Sequence, residues 1–144
     1  MKHLTTEIII NSTVEKVWNT FTDFESYKEW NPLIKQLKGE RHVGKHIEIT
    51  LHLDGQKPMV MKPKVLNHAP NSEFRWKGSL GVKGLFDGEH YFKFEQISAN
   101  ETRFIHGEKF TGILVWPIMA MIGKATAKGF NDMNLALKEL CERV

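Results

Sequence analysis

The chain has 144 residues, of which 41% are hydrophobic and 26% charged, with a formal net charge of +3 and one cysteine. These values fit one globular domain over residues 1–144 and exclude disordered, collagen-like and disulfide-stapled chains. A pI of about 9.0 raises nucleic-acid binding, but 10 Lys+Arg stand against 8 Asp+Glu in residues 1–72 and 10 against 9 in the rest; the bases form no run, and no nucleic-acid partner is expected.

The first element is a β-branched strand, Thr6–Ile10. Ser12 stands three residues before Glu15, the spacing of a capping box, and the helix it opens aligns Val14, Val17, Trp18 and Phe21 on one face. Asp23 is placed to cap a second short helix carrying Phe24 and Tyr27. That helix ends near Trp30, because Asn31 precedes Pro32 and is driven out of helical geometry.

From Leu33 the period changes to two. Ile47, Ile49, Leu51 and Leu53 alternate with polar residues, and Asp54-Gly55 signals a hairpin. Met59, Met61 and Val65, interrupted by Pro58 and Pro63, read as one edge or bulged strand. After a turn at Pro70-Asn71-Ser72, Phe74 and Trp76 mark another strand, followed by a loop with Gly78, Gly81, Gly84 and Gly88. His90, Phe92 and Phe94 form one alternating set and Phe104, His106, Glu108 and Phe110 the next.

The segment from Pro117 to Arg143 has helical period, with Met119, Ile122, Thr126, Phe130, Met133, Leu137 and Leu140 on one stripe and Pro117 as first helical residue. At ~1.5 Å per residue it spans roughly 40 Å. The order predicts an α+β architecture: a curved antiparallel β-sheet wrapped around a long C-terminal α-helix, with two short helices between the first and second strands. The longest apolar stretch, Ile113–Ile122, is broken by Pro117 and falls short of the ~20 residues that span a bilayer. No signal-peptide-like run precedes Asn11, and Cys141 stands alone. A cytoplasmic protein without stable membrane insertion is expected, as a monomer or weak homodimer.

Five motifs then appear in order: Ile10-Asn-Ser-Thr-Val-Glu-Lys-Val17-Trp18, Asp23 with Tyr27-Lys-Glu-Trp30-Asn31-Pro32, Phe74-Arg-Trp76-Lys-Gly78, Gly88-Glu-His90-Tyr-Phe92, and Thr102-Arg-Phe104-Ile-His106-Gly-Glu108-Lys-Phe110-Thr-Gly112. Together they resemble the helix-grip fold of the START-like (SRPBCC) superfamily, and look most like its polyketide cyclase/dehydrase-related branch. The resemblance implies a cavity between sheet and long helix that holds an apolar small molecule. It implies no particular reaction, since this fold hosts binders, transfer proteins, co-chaperone domains and enzymes.

The last hairpin fixes the polar candidates. A three-residue loop at Ser98–Asn100, with Asn100 left-handed, sets Phe94 opposite Phe104, Phe92 opposite His106 and His90 opposite Glu108. His90 and Glu108, with His106 nearby, are the candidates for an acid/base pair; the simpler reading is a pair that satisfies itself or orients a ligand. Phe74, Trp76, Phe92, Phe104 and Phe110 are expected to line the pocket, facing Met119, Ile122, Thr126, Phe130 and Met133 from the helix. Met59, Met61, Met119, Met121 and Met133 suit an adaptable pocket, the apolar tips Leu80, Val82, Leu85 and Phe86 suit an entrance loop, and Gly123 leaves volume for a ligand or for close packing on the sheet. Trp30 is a wall or a packing anchor, and the glycine loop is an entrance or a slack connection.

No CxxC or HExxH spacing occurs, and neither metal nor cofactor is expected. Three functions stay open: binding of a hydrophobic or aromatic, lipid- or polyketide-like small molecule; a cyclase/dehydratase-like enzyme using the His/Glu pair; and a co-chaperone-like interaction domain.

Overall fold

Strand β1 (Lys2–Ile10) begins four residues before its β-branched centre, because its whole length pairs with the last strand, from Lys2 opposite Phe110 to Ile10 opposite Thr102. This is a computed structural model that describes residues 1–143. Helix α1 (Val14–Thr22) is capped by Thr13, whose Oγ1 accepts from the Lys16 amide at 3.2 Å. Ser12 is therefore not the cap expected from its spacing; it is buried, and its carbonyl accepts from the Thr102 hydroxyl at 3.0 Å. Asp23 makes no side-chain cap either. A single 3-10 turn, Phe24–Ser26, leads instead into the short α2 (Tyr27–Trp30). Asn31 Oδ1 then accepts from the amides of Leu33 and Ile34 at 3.0 and 2.9 Å, turning the chain into the next strand.

β2 (Ile34–Gly39), β3 (Ile47–Leu51) and β4 (Met59–Met61) form a three-stranded sheet. β5 (Lys64–Ala69), β6 (Glu73–Ser79), β7 (Asp87–Ser98) and β8 (Glu101–Thr111) join β1 in a five-stranded antiparallel sheet of order β1-β8-β7-β6-β5. The single strand expected from Met59 to Val65 is thus two strands in two sheets. Pro63 has no N–H to continue a ladder, but its carbonyl accepts from Ile47 at 3.0 Å, and a bridge between His46 and Lys64 links the sheets. The expected bulge lies between Val65 and Asn67.

The β7–β8 register is the one the alternation predicts: His90 faces Glu108, Phe92 faces His106 and Phe94 faces Phe104. The turn differs. A register shift between Gln96 and Ser98 leaves Ser98 opposite Glu101, so a bulge absorbs the odd residue and Asn100 needs no left-handed conformation. Among the described residues Asn71, φ 63°, is the non-glycine with positive φ.

Helix α3 (Val115–Cys141) starts two residues before Pro117, which is its third residue and not its first. Proline is tolerated there because first-turn amides lack helical partners. α3 lays Thr126, Phe130, Met133 and Leu137 on the core, where Phe21 sits fully buried against Phe92, Phe94 and Phe104. Gly129 lets the helix approach closely: a Cβ there would come within 2.9 Å of Leu33 Cδ1. Among the described residues no helix is long and apolar enough to cross a membrane.

Candidate functional site

A cavity opens where α3, the end of β7–β8 and the β3–β4 sheet meet, with about 50 Å³ of free space for water-sized spheres. Its walls are Leu33, Leu51, Leu53, Met59, Met61, Leu80, Phe86, Gly88, Phe110, Ile122 and Phe130, broken by the polar side chains of His90, Glu108 and Thr126. Gly88 makes room for the acid: a Cβ there would overlap Glu108 Oε2.

His90 and Glu108 are the cavity-facing end of a longer buried chain. Glu108 Oε1 lies 3.4 Å from His90 Nδ1. His90 Nε2 meets His106 Nε2 at 2.7 Å, and His106 Nδ1 meets Asn134 Oδ1 at 2.9 Å. The Asn134 amide nitrogen donates to Thr6 Oγ1 at 2.8 Å, and the Thr6 hydroxyl donates to the His106 carbonyl at 2.8 Å. The chain can run in one direction only. A carbonyl accepts and cannot donate, so the Thr6 proton is committed to it, and Thr6 must accept from Asn134. Asn134 therefore shows its oxygen to His106, whose proton sits on Nδ1. His106 Nε2 is then an acceptor, so His90 carries its proton on Nε2 and turns the Nδ1 lone pair toward Glu108. That arrangement is satisfied when Glu108 is a neutral acid donating to His90.

The electrostatics agree. Burial pushes the Glu108 carboxyl up to about 8, from an ordinary 4.5. Burial, and then the neighbouring His106, hold His90 well below its usual range. His106 falls to about 3 for the same first reason, against the opposing hydrogen bond to Asn134. At neutral pH all three groups are uncharged, which is the state in which a dry, polar chain costs least. Among the described residues no group of three or more His, Cys, Asp or Glu side chains is arranged to hold a metal ion.

The structure brings ten of the sequence candidates to this cavity: Met59, Met61, Leu80, Phe86, His90, Glu108, Phe110, Ile122, Thr126 and Phe130. The others lie elsewhere. Phe74, Trp76, Phe92, Phe104 and Met133 fill the core around Phe21, which plugs that half of the sheet. His106 is fully buried behind His90, and Met119 packs with Phe86, Phe110 and Val115. Gly123 lies in a surface groove with Lys2 and Lys124, so it leaves no volume to this cavity. Trp30 stacks edge-on against Tyr27 and donates to Ser26 Oγ at 3.2 Å, as a packing anchor beside α2.

Sequence reasoning missed the walls Leu33, Leu51, Leu53 and Gly88, and both Asn134 and Thr6; Met59, Leu80 and Phe86, expected as an adaptable pocket residue and as tips of an entrance loop, line the cavity. The glycine loop narrows to residues 80–86, since Gly78 and Gly88 pair with each other; its Leu80 and Phe86 close the cavity. In the apolar stretch after it, Ile113, Trp116 and Met121 are exposed, and Ile113 bonds back to Gly84 of the loop at 3.2 Å.

Comparison with known proteins gives a consistent picture. A family model described as polyketide cyclase / dehydrase and lipid transport matches residues 1–142. No curated protein matches the sequence. Among solved structures, the Zhui aromatase/cyclase from Streptomyces sp. R1128 superposes with a TM-score of 0.79 at 11% identity, over 99% of this chain and 94% of that one. A START superfamily protein from Mycobacterium smegmatis gives 0.74 at 19% identity, over 97% of each chain. A norcoclaurine synthase from Thalictrum flavum, solved with a transition-state analogue, gives 0.72 at 11% identity, over 97% of this chain and 93% of that one. At these identities the likeness is one of fold.

Proposed function

Because the chain belongs to the polyketide cyclase / dehydrase and lipid transport family, we propose that it binds an apolar small molecule in the cavity under α3, with Glu108 and His90 orienting the molecule's polar end. The carrying observation is the cavity itself: an apolar enclosure with one hydrogen-bonding wall, the usual chemistry of a small-molecule site. Met61, Phe110, Ile122 and Phe130 are the apolar contacts in this reading, and Thr126 adds a hydroxyl. A ligand larger than the present space enters by displacing the flexible Met59 and Met61 side chains, which adapt at small cost. The reading includes a cytoplasmic location, a monomer or weak homodimer, and no nucleic-acid partner; the lone buried Cys141 and the interleaved charges support it.

A second reading, a cyclase/dehydratase-like enzyme, is favoured by one observation. A neutral acid and a neutral imidazole face each other at 3.4 Å in an apolar site, the pairing that proton transfer to and from a carbonyl compound requires. His90→Ala combined with Glu108→Gln separates the two: a binder loses affinity modestly, an enzyme loses turnover.

The binding reading is tested by native mass spectrometry of protein purified from its own host, followed by organic extraction. A stoichiometric apolar adduct is expected. A bare protein mass, with no melting shift across a panel of aromatics and lipid alcohols, overturns it.

A further inference from the structure

We infer that the cavity selects a neutral ligand ending in a hydroxyl group, an apolar alcohol or phenol, over carboxylates and amines, and that Thr6 and Asn134 impose this choice from outside the cavity. The inference rests on the binding reading above and adds to it the polarity of the ligand.

The wall contains three side chains with polar hydrogens, and each hydrogen is already committed. Thr126 donates its hydroxyl to the Ile122 carbonyl at 2.8 Å. His90 donates from Nε2 to His106, and the Glu108 acid proton is directed to His90 Nδ1. What these side chains leave for a ligand is acceptor capacity: the second carboxyl oxygen of Glu108, on a side chain 15% exposed, and the lone pairs of Thr126. An anionic head finds no side-chain donor and no charge to offset its desolvation. A hydroxyl finds acceptors and keeps the chain intact. An amine is met differently: it draws the proton from Glu108 and leaves a carboxylate facing the His90 Nδ1 lone pair, which the fixed direction of the chain makes repulsive. The upward shift of Glu108 agrees with this. His90 is the other titratable side chain in the wall, and it too is held neutral.

Thr6 and Asn134 touch no ligand; they are positioning residues. Both orientations of the Asn134 amide would satisfy His106 if Thr6 were absent. The reversed one carries a proton to His90 Nδ1 and stabilises Glu108 as a carboxylate. The Thr6 hydroxyl, tied to the His106 carbonyl, removes that alternative.

The experiment has two readouts. Long-range proton–nitrogen NMR of the histidines reads the chain directly. Wild type and Thr6→Ser are expected to show His106 protonated on Nδ1 and His90 on Nε2, and Thr6→Val to show mixed tautomers. Calorimetry at neutral pH then compares hexanol, hexyl methyl ether, hexanoate and hexylamine. Hexanol is expected to bind about tenfold tighter than the ether, the worth of one hydrogen bond, and tighter still than the two ions; Thr6→Val is expected to narrow the gap between hexanol and hexylamine. Wild-type His106 protonated on Nε2, or hexanoate or hexylamine binding tightest, overturns the inference while leaving binding intact. Failure of all four to bind, with the tautomers as stated, overturns the binding reading and the ligand class with it.

Discussion

Asn134→Leu is expected to lower the unfolding free energy by about 2–4 kcal/mol, measured by denaturant titration, although the substitution conserves volume. Asn134 is 1% exposed and makes one contact inside the core, to His106, and one to the half-buried Thr6 hydroxyl. Leucine leaves the buried His106 Nδ1 proton without a partner, at about 1–3 kcal/mol, and takes a donor from the half-buried Thr6 oxygen, which keeps only its bond to the His106 carbonyl. The neighbouring Leu135, 49% exposed, is the control: Leu135→Ala should change stability by no more than about 0.5 kcal/mol. A loss below about 1 kcal/mol for Asn134→Leu would mean that the chain is not a cooperating buried network.

Phe130→Ala is expected to cost a similar amount, about 3–5 kcal/mol, with a different consequence for the site. The Phe130 ring centroid lies 4.0 Å from that of His106, nearly parallel at 10°, and 5.0 Å from that of His90, and the residue also lines the cavity. Removing it merges a ring-sized void with the existing space. The variant should therefore show a larger melting shift with benzene than wild type, since apolar cavities of that size take up small aromatics. Equal response of both proteins to benzene would mean that the core collapses onto the deleted ring.

The His90–Glu108 pair was legible because a strand has a period of two and both β7 and β8 carry aromatics on one parity. Any slip would turn Phe92 or Phe104 to solvent, so the pairing followed even though the turn was misread. The stripe of α3 was legible for the equivalent reason at helical period. Asn134 was harder. It lies four residues after Phe130 and three before Leu137, on the buried face, but a polar residue there reads as an edge until its partner is known. That partner, His106, is 28 residues away, and Thr6 is 128 residues away; such contacts leave no local periodic trace.

The cavity was misplaced toward Phe74, Trp76, Phe92 and Phe104 because alternation tells which sheet face is inward, not what covers it. Phe21 and the short helices cover that half. The opposite half stays open under β3 and β4, where the flanking Pro58 and Pro63 suggested an edge strand and Met59 and Met61 an adaptable wall.

The central claim is that Glu108 is buried as a neutral acid. Proton linkage tests it through the unfolding free energy of wild type and Glu108→Gln as a function of pH. In the folded protein Glu108 titrates at about 8 and in the unfolded chain near 4.5. The folded state thus holds an extra proton between those values, and this contribution is fully present below pH 4.5 and lost as pH rises toward 8. His90 and His106 act oppositely. Their folded values are depressed, His106 to about 3 from 6.5, so the unfolded chain takes up their protons and stability falls as pH drops below 6.5. Wild type should therefore be most stable near pH 6.5 and lose about 1–2 kcal/mol by pH 8. Glu108→Gln, whose amide donates to His90 Nδ1 without titrating, should fall more steeply than wild type between pH 6.5 and 4.5, where no Glu108 proton offsets the histidines, and lose nothing above pH 6.5. Parallel curves for the two proteins from pH 6.5 to 8 would contradict the account.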